Sequence, residues 1–362
     1  MKCKTTLLWL LAVILFLSNC AFSIEKPASE VSSSEVSIKF LNIEEAKAEI
    51  INDSIDPYFS RLQPMEMSAK TGSPIEGQTI GQQRQQCRER YQAGVRQFSD
   101  EEKEIIRRCV NRVYSVLEKK YPLFAKTPWS FLKVSDEIEG GLPHTRDKYI
   151  VLSERTCNRI ATFSRTDPER VFQYSGLLVH EQMHVFQRVN PDFFYSLYTD
   201  MWGFIKAEEI DSCPWLDKHQ LINPDGTVCC WVLPVKQADN TKYLLPLVVF
   251  AEGEGLKRMP NDFRMIAVEM VNNNGHFSPK LAEEGRPVFK DLLQVPEYCR
   301  VFPTTMNMYH PNESCASVFT DIALADLFNL QRQQPDNVKK ELDRLKKWFT
   351  ENLKETKLDE LL

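Results

Sequence analysis

The segment Leu177-Leu178-Val179-His180-Glu181-Gln182-Met183-His184-Val185-Phe186-Gln187 carries a His-Glu-x-x-His pentad within an otherwise apolar run. Histidines four residues apart on a helix lie one turn apart on the same face. Both imidazoles can then reach a single metal ion, while Glu181 beside them faces a water held by that ion. Burying two imidazoles and a carboxylate is costly without a partner, and a divalent cation supplies one. The flanks predict the helix. Thr166-Asp167-Pro168-Glu169 offers an N-cap and a proline suited to the first turn, apolar residues recur at Val171, Phe172, Leu178, Val179, Val185 and Phe186, and Asn190-Pro191 closes the run. The expected span is Pro168 to Arg188.

Two histidines do not complete a catalytic zinc site, which uses three protein ligands and leaves the fourth position to water. The stretch Tyr309-His310-Pro311-Asn312-Glu313-Ser314-Cys315-Ala316 offers the third. Pro311 suits a helix start, so Glu313 is expected on the first turn of a second helix, aimed at the first across the core. Glu208 and Glu209, in Ile205-Lys206-Ala207-Glu208-Glu209-Ile210, stand as alternatives nearer the pentad. An oxyanion-stabilising donor is expected among Tyr309, His310, His276 and His144, the first two favoured by their closeness to Glu313. Asp321 is a candidate acceptor to orient one of the metal-binding imidazoles.

With 362 residues and 43% hydrophobic content the chain can bury a substantial core, and a formal charge of −5 gives no basic footprint for nucleic acid. Lys2 and Lys4 precede an apolar run from Leu7 to Leu17, and Ala21-Phe22-Ser23 follows, so residues 1–23 read as an export signal to a secreted or periplasmic location. Leu17-Ser18-Asn19-Cys20 also fits a lipoprotein processing site, which makes Cys20 a candidate lipid anchor. No later stretch approaches the roughly 20 apolar residues of a membrane span. Beyond residue 23 the cysteines are Cys87, Cys109, Cys157, Cys213, Cys229, Cys230, Cys299 and Cys315. An even number in an exported chain, without any Cys-x-x-Cys pair, predicts disulfides.

Serine-rich residues 24–42 read as a flexible tether and residues 43–86 as an N-terminal extension. In the extension, a short helix from Ile43 to Ile51 gives way to irregular chain marked by Pro57, Pro64, Gly72, Pro74, Gly77 and Gly81. Such an extension can pack on the main domain or act as an inhibitory prosegment. A capped helix is expected from Ser99 to Lys120, and strands at Trp129–Val134 and Lys148–Ser153. Phe193 to Trp202 reads as helical. Cys213 to Phe250 reads as strand-like, with turn chemistry at Asn223-Pro224-Asp225-Gly226, and residues 251–290 as loop-rich. Helices are expected from Glu313 to Gln333 and, amphipathic and charged, over 335–362.

The pentad together with a downstream helical glutamate resembles the gluzincin branch of the zincin metallopeptidases. The form His310-Pro311-x-Glu313-x-x-Ala316, and Gly141-Leu142-Pro143-His144-Thr145 ahead of the second strand, is similar to that of exported bacterial proteins of this type. The resemblance covers roughly residues 90 to 330. It implies an α+β fold in which a small mixed sheet lies over an active-site helix, with a zincin-like catalytic domain at 87–334. It also implies one zinc ion held by His180, His184 and Glu313, and hydrolysis of a peptide or protein substrate with Glu181 as general base and Tyr309 or His310 beside it. The strand before the active-site helix would be a sheet edge binding substrate by strand addition at Tyr149, Ile150 and Val151. One departure stands out: thermolysin-like members place the third ligand about 20 residues after the second histidine, whereas Glu313 lies roughly 130 residues after His184. Two other functions fit the same residues, namely a catalytically idle zincin-fold binding or scaffold protein and a zinc hydrolase of a non-peptide substrate.

Overall fold

A computed structural model describes residues 36–166, 174–237, 240–302, 305, 307–328 and 335–354. The export signal, Cys20, most of the tether, the expected cap at residues 167–169 and the end of the last helix lie outside them. Residues 36–42 of the expected tether are described, and they carry strand β1 (Ile38–Phe40).

The chain is mixed α+β, with two mixed sheets. After β1 come helices α1 (Ile43–Glu49), α2 (Pro64–Lys70) and α3 (Ile80–Ala93), then β2 (Val95–Arg96), α4 (Asp100–Lys120), β3 (Trp129–Val134), β4 (His144–Arg146) and β5 (Tyr149–Ser153). The first sheet runs β1-β3-β5-β4, with β2 also on β3. Helices α5 (Glu154–Thr166) and α6 (Tyr174–Val189) follow.

Strands β6 (Ile205–Lys206), β7 (Glu209–Ile210), β8 (Trp231–Lys236), β9 (Thr241–Phe250), β10 (Phe263–Asn273), β11 (His276–Pro279) and β12 (Phe289–Asp291) build the second sheet. Its order is β6-β8-β9-β10-β11-β7 with β12 on β10, so sequence neighbours β6 and β7 sit at opposite ends and the sheet curls into a half-barrel. The chain ends in α7 (Pro311–Phe328) and α8 (Asp336–Asn352). No helix among the described residues is long and apolar enough to cross a membrane.

Alternation along β3 and β5 divides the main core. Phe131, Ile150 and Leu152 face α4, α6 and α7 on one side, whereas Leu132, Val134 and Val151 face α1 to α3 on the other. Helix α6 is apolar nearly all round and correspondingly buried from Tyr174 to Gln187, except Leu177. Two of its polar side chains are anchored on backbone carbonyls: Ser175 donates to that of Cys109 at 2.9 Å, and Gln182 to those of Thr127 and Pro128. Gly176 lets α7 approach closely, since a Cβ there would come within 2.7 Å of Leu324.

Several expectations are corrected. Strand β5 is not an edge, because Tyr149, Ile150 and Val151 pair with Arg146, Thr145 and His144 of β4, and Ile150 and Val151 also with β3. The outer edge belongs to β4. Helix α5 separates β5 from α6 in sequence. The N-terminal extension is more regular than its prolines suggest, because Pro64 occupies the first turn of α2 and Thr79 caps α3. The loop-rich reading of 251–290 misses β10, whose Phe263–Met270 segment pairs with β9. The eight described cysteines are free thiols. Cys87 sits in the core behind the first sheet, Cys109, Cys157 and Cys315 share the core in front of it, and Cys213 lies within the half-barrel, and these five serve as small apolar residues.

Behind the sheet lies a buried ionic cluster. Lys70 donates to both Glu139 oxygens at 3.2 and 3.0 Å, and Tyr58 and Tyr91 donate to Glu139 Oε1. Burial raises the Glu139 pKa, but the Lys70 charge and the two phenols outweigh it and hold the carboxyl below its ordinary range. Removing one member of such a pair leaves an uncompensated buried charge, so Lys70→Met is expected to lower stability by about 3–5 kcal/mol in urea unfolding at neutral pH. A folded-state pKa below the unfolded value contributes stability that is present above the unfolded carboxylate range and lost on acidification. The gap between wild type and variant should therefore shrink below about pH 4. A gap that stays constant with pH would contradict this role for Glu139.

Candidate metal centre

Helix α6 carries His180 and His184 on the face that meets the first turn of α7, where Glu313 projects. His180 Nε2 lies 3.1 Å from His184 Nε2, and Glu313 Oε2 lies 3.4 Å from the first and 3.6 Å from the second. A tetrahedral ion with bonds of about 2.05 Å requires ligand atoms about 3.3 Å apart. The triangle of ligand atoms fits that requirement.

Polar neighbours fix His184 and Glu313. His184 Nδ1 contacts Gln187 Oε1 at 2.9 Å, and Gln187 Nε2 donates to the Asn312 carbonyl at 3.1 Å and contacts the Tyr198 hydroxyl at 3.3 Å. With the Gln187 oxygen facing the ring, His184 Nδ1 is the protonated nitrogen and Nε2 keeps its lone pair for a metal. Gln187, not Asp321, therefore orients His184. Glu313 is held at both oxygens: Asn223 Nδ2 donates to Oε1 and Asn307 Nδ2 to Oε2, each at 2.6 Å. Burial raises the Glu313 pKa, but the adjacent imidazoles outweigh it and hold the group well below the usual carboxylate range. For His184 burial acts downward, and the Glu313 carboxylate outweighs it to push the pKa up to about 9. A protonated His184 is thus the partner the carboxylate takes without a metal, and a divalent cation would have to displace that proton to use the Nε2 lone pair.

Glu181 is 4% exposed and its Oε2 is buried without a hydrogen-bond partner. Burial first, and then the Asp225 charge, raises its pKa well above the ordinary value. A buried carboxylate oxygen with no partner next to a ligand triangle is the signature of a missing water or ion. Histidine and carboxylate donors in a closed triangle, with an orphaned base beside them, fit zinc.

Of the expected oxyanion donors only Tyr309 stands at the centre. Its hydroxyl lies 3.4 Å from Asn223 Nδ2, and burial, followed by the Glu313 and Asp225 charges, keeps it protonated well above its usual range. His310 is spent on structure: Nδ1 accepts from the Asn312 backbone at the start of α7 and Nε2 contacts the Val228 carbonyl at 3.2 Å. Burial lowers its pKa and keeps it neutral. His144 opens β4 and is buried with Nδ1 3.0 Å from the Leu142 carbonyl. His276 is clamped on the half-barrel between Asp211 at 2.9 Å on Nε2 and Glu209 at 3.7 Å on Nδ1. Glu208 and Glu209 are exposed, and Glu209 belongs to that second group. Gln187, Asn223, Asp225 and Asn307 join the site without a motif to mark them: Gln187 follows His184 by about one helical turn, and the sequence around Asn223 and Asp225 signals only a turn.

Comparison with known protein families, with curated proteins and with solved structures finds no match.

Replacing an outer partner of a metal ligand weakens affinity by about 10–100-fold. Gln187→Leu and Asn307→Leu are expected to do this in zinc competition titrations, Glu313→Ala to do more, and Glu208→Ala with Glu209→Ala to change nothing. Unaltered affinity in Glu313→Ala would remove that residue from the ligand set.

Proposed function

We propose that the chain is an exported zinc-dependent peptidase of gluzincin type, with His180, His184 and Glu313 as ligands and Glu181 as general base. The observation that carries this reading is the buried ligand triangle with the unpartnered Glu181 oxygen beside it. A zinc ion, when bound, supplies Lewis acidity that lowers the pKa of water toward about 7 and polarises a carbonyl.

The chain's own groups supply the rest. Glu181 Oε2 accepts the proton of the attacking water and returns it to the nitrogen of the departing amine. Tyr309, held neutral, donates its phenolic hydrogen toward the oxyanion that develops on the substrate carbonyl. Gln187 keeps the His184 lone pair directed inward, and the Asn223 and Asn307 carboxamides keep the Glu313 carboxylate ionised and aimed. The closed walls exclude bulk water and strengthen each of these interactions.

One observation favours a second reading, an idle binding or scaffold protein: His180, Glu181, His184 and Glu313 are all buried. The variant Glu181→Gln separates the two. Under the peptidase reading it retains one zinc per chain while hydrolysis of an unstructured peptide mixture falls by roughly 100-fold or more. Wild-type protein that binds zinc but cleaves nothing, or a Glu181→Gln variant with full activity, would contradict it.

A further inference from the structure

The buried state of the centre has an identifiable source, the turn Asn223-Pro224-Asp225-Gly226-Thr227 between the first sheet and β8. Asn223 Oδ1 accepts the Asp225 backbone N–H at 3.1 Å, which fixes its carboxamide so that Nδ2 faces Glu313 at 2.6 Å. Asp225 Oδ1 accepts from the Thr145 backbone N–H at 2.6 Å and from the Thr145 hydroxyl at 2.7 Å. Thr145 lies on β4, the outer strand of the sheet beside α6, so this bond uses an edge N–H that an incoming extended chain would otherwise meet. Gly226 presses on the start of α7, where a Cβ would come within 3.0 Å of Asn312 Nδ2 and 3.3 Å of His310.

The same turn is latched from outside. The Ile222 N–H donates to Glu66 Oε2 at 2.9 Å, and Lys70 Nζ donates to the Ile222 carbonyl at 2.9 Å. Arg61 donates to the Thr227 carbonyl at 2.7 Å, and the Thr227 hydroxyl donates to Asp56. Asp56 in turn pairs with Arg188, at the end of the metal helix, at 3.1 Å, and Arg188 donates to the Pro224 carbonyl. These latches come from the N-terminal region, which is not a removable cover. Its strand β1 is hydrogen-bonded to β3, and its helices bury Leu132, Val134 and Val151. Any opening must therefore be made by the turn itself.

We propose that the segment Pro224–Thr227 is a built-in gate that occupies the substrate's place between β4 and the metal centre, and that it must swing away, hinging at Asn223, which stays on Glu313, before a peptide binds. This rests on the peptidase reading. The group vacating the edge is a carboxylate on one N–H and one hydroxyl. Each charged hydrogen bond of this kind contributes about 1.5–3 kcal/mol, so losing one raises the open population by roughly 10-fold or more.

The test uses zinc-loaded full-length protein and two variants, Asp225→Ala, which frees the β4 edge, and Thr227→Val, which frees Asp56. Circular dichroism checks that each folds. Two rates are read: removal of zinc by a coloured chelator, and hydrolysis of an unstructured peptide mixture. Both are expected to rise about 10-fold in either variant. Unchanged zinc release in both zinc-loaded variants, or unchanged or slower hydrolysis in Thr227→Val, whose side chain does not face Glu181, overturns the gate and makes the turn a fixed wall of the site. Wild-type protein that takes up no zinc overturns the peptidase reading and the gate with it.

Discussion

The arrangement depends on one carboxylate placed against two imidazoles in a space with little access to water. Glu313 Oε2 stands 3.4 and 3.6 Å from His180 and His184 Nε2, and at such range in a buried site the attraction between carboxylate and imidazole is strong. The surrounding structure serves that contact. Helix α6 is buried because most of its surface is apolar, α7 reaches it because residue 176 is a glycine, and two asparagines and a glutamine spend their hydrogen bonds on aiming Glu313 and His184.

The turn over the centre and the cluster behind the sheet form one connected system. Lys70 is shared: it neutralises Glu139 in the rear core and also holds the Ile222 carbonyl at the root of the turn. Asp56 is likewise shared between Arg188 on the metal helix and Thr227 on the turn. The N-terminal region thus participates in both folding and closure. A segment whose sequence suggests an accessory layer is, in energetic terms, part of the main body.

Legibility in the sequence followed the range of the interactions. The pentad and the Pro-x-Glu start of α7 are local signals, and the side chains they single out, His180, His184 and Glu313, do come together in the fold as a group that could hold a metal. The capped helix α4 and strand β3 were equally local and appear with the expected bounds. What escaped was set by tertiary contacts. Strand β5 became internal because the short β4 folded back on it, β10 was masked by the glycines and asparagines around it, and α3 buries only Cys87 and Tyr91, too narrow a stripe to read. His310 and Tyr309 are adjacent in sequence, yet one caps a helix and the other faces the ligands. That distinction is made by side-chain direction alone.

The most direct measurement of the central claim is anomalous diffraction at the zinc edge from crystals of the zinc-loaded protein. The account predicts a single strong peak about 2.0–2.2 Å from His180 Nε2, His184 Nε2 and Glu313 Oε2. No peak at that place, or a peak only beside Glu209, Asp211 and His276, would contradict it.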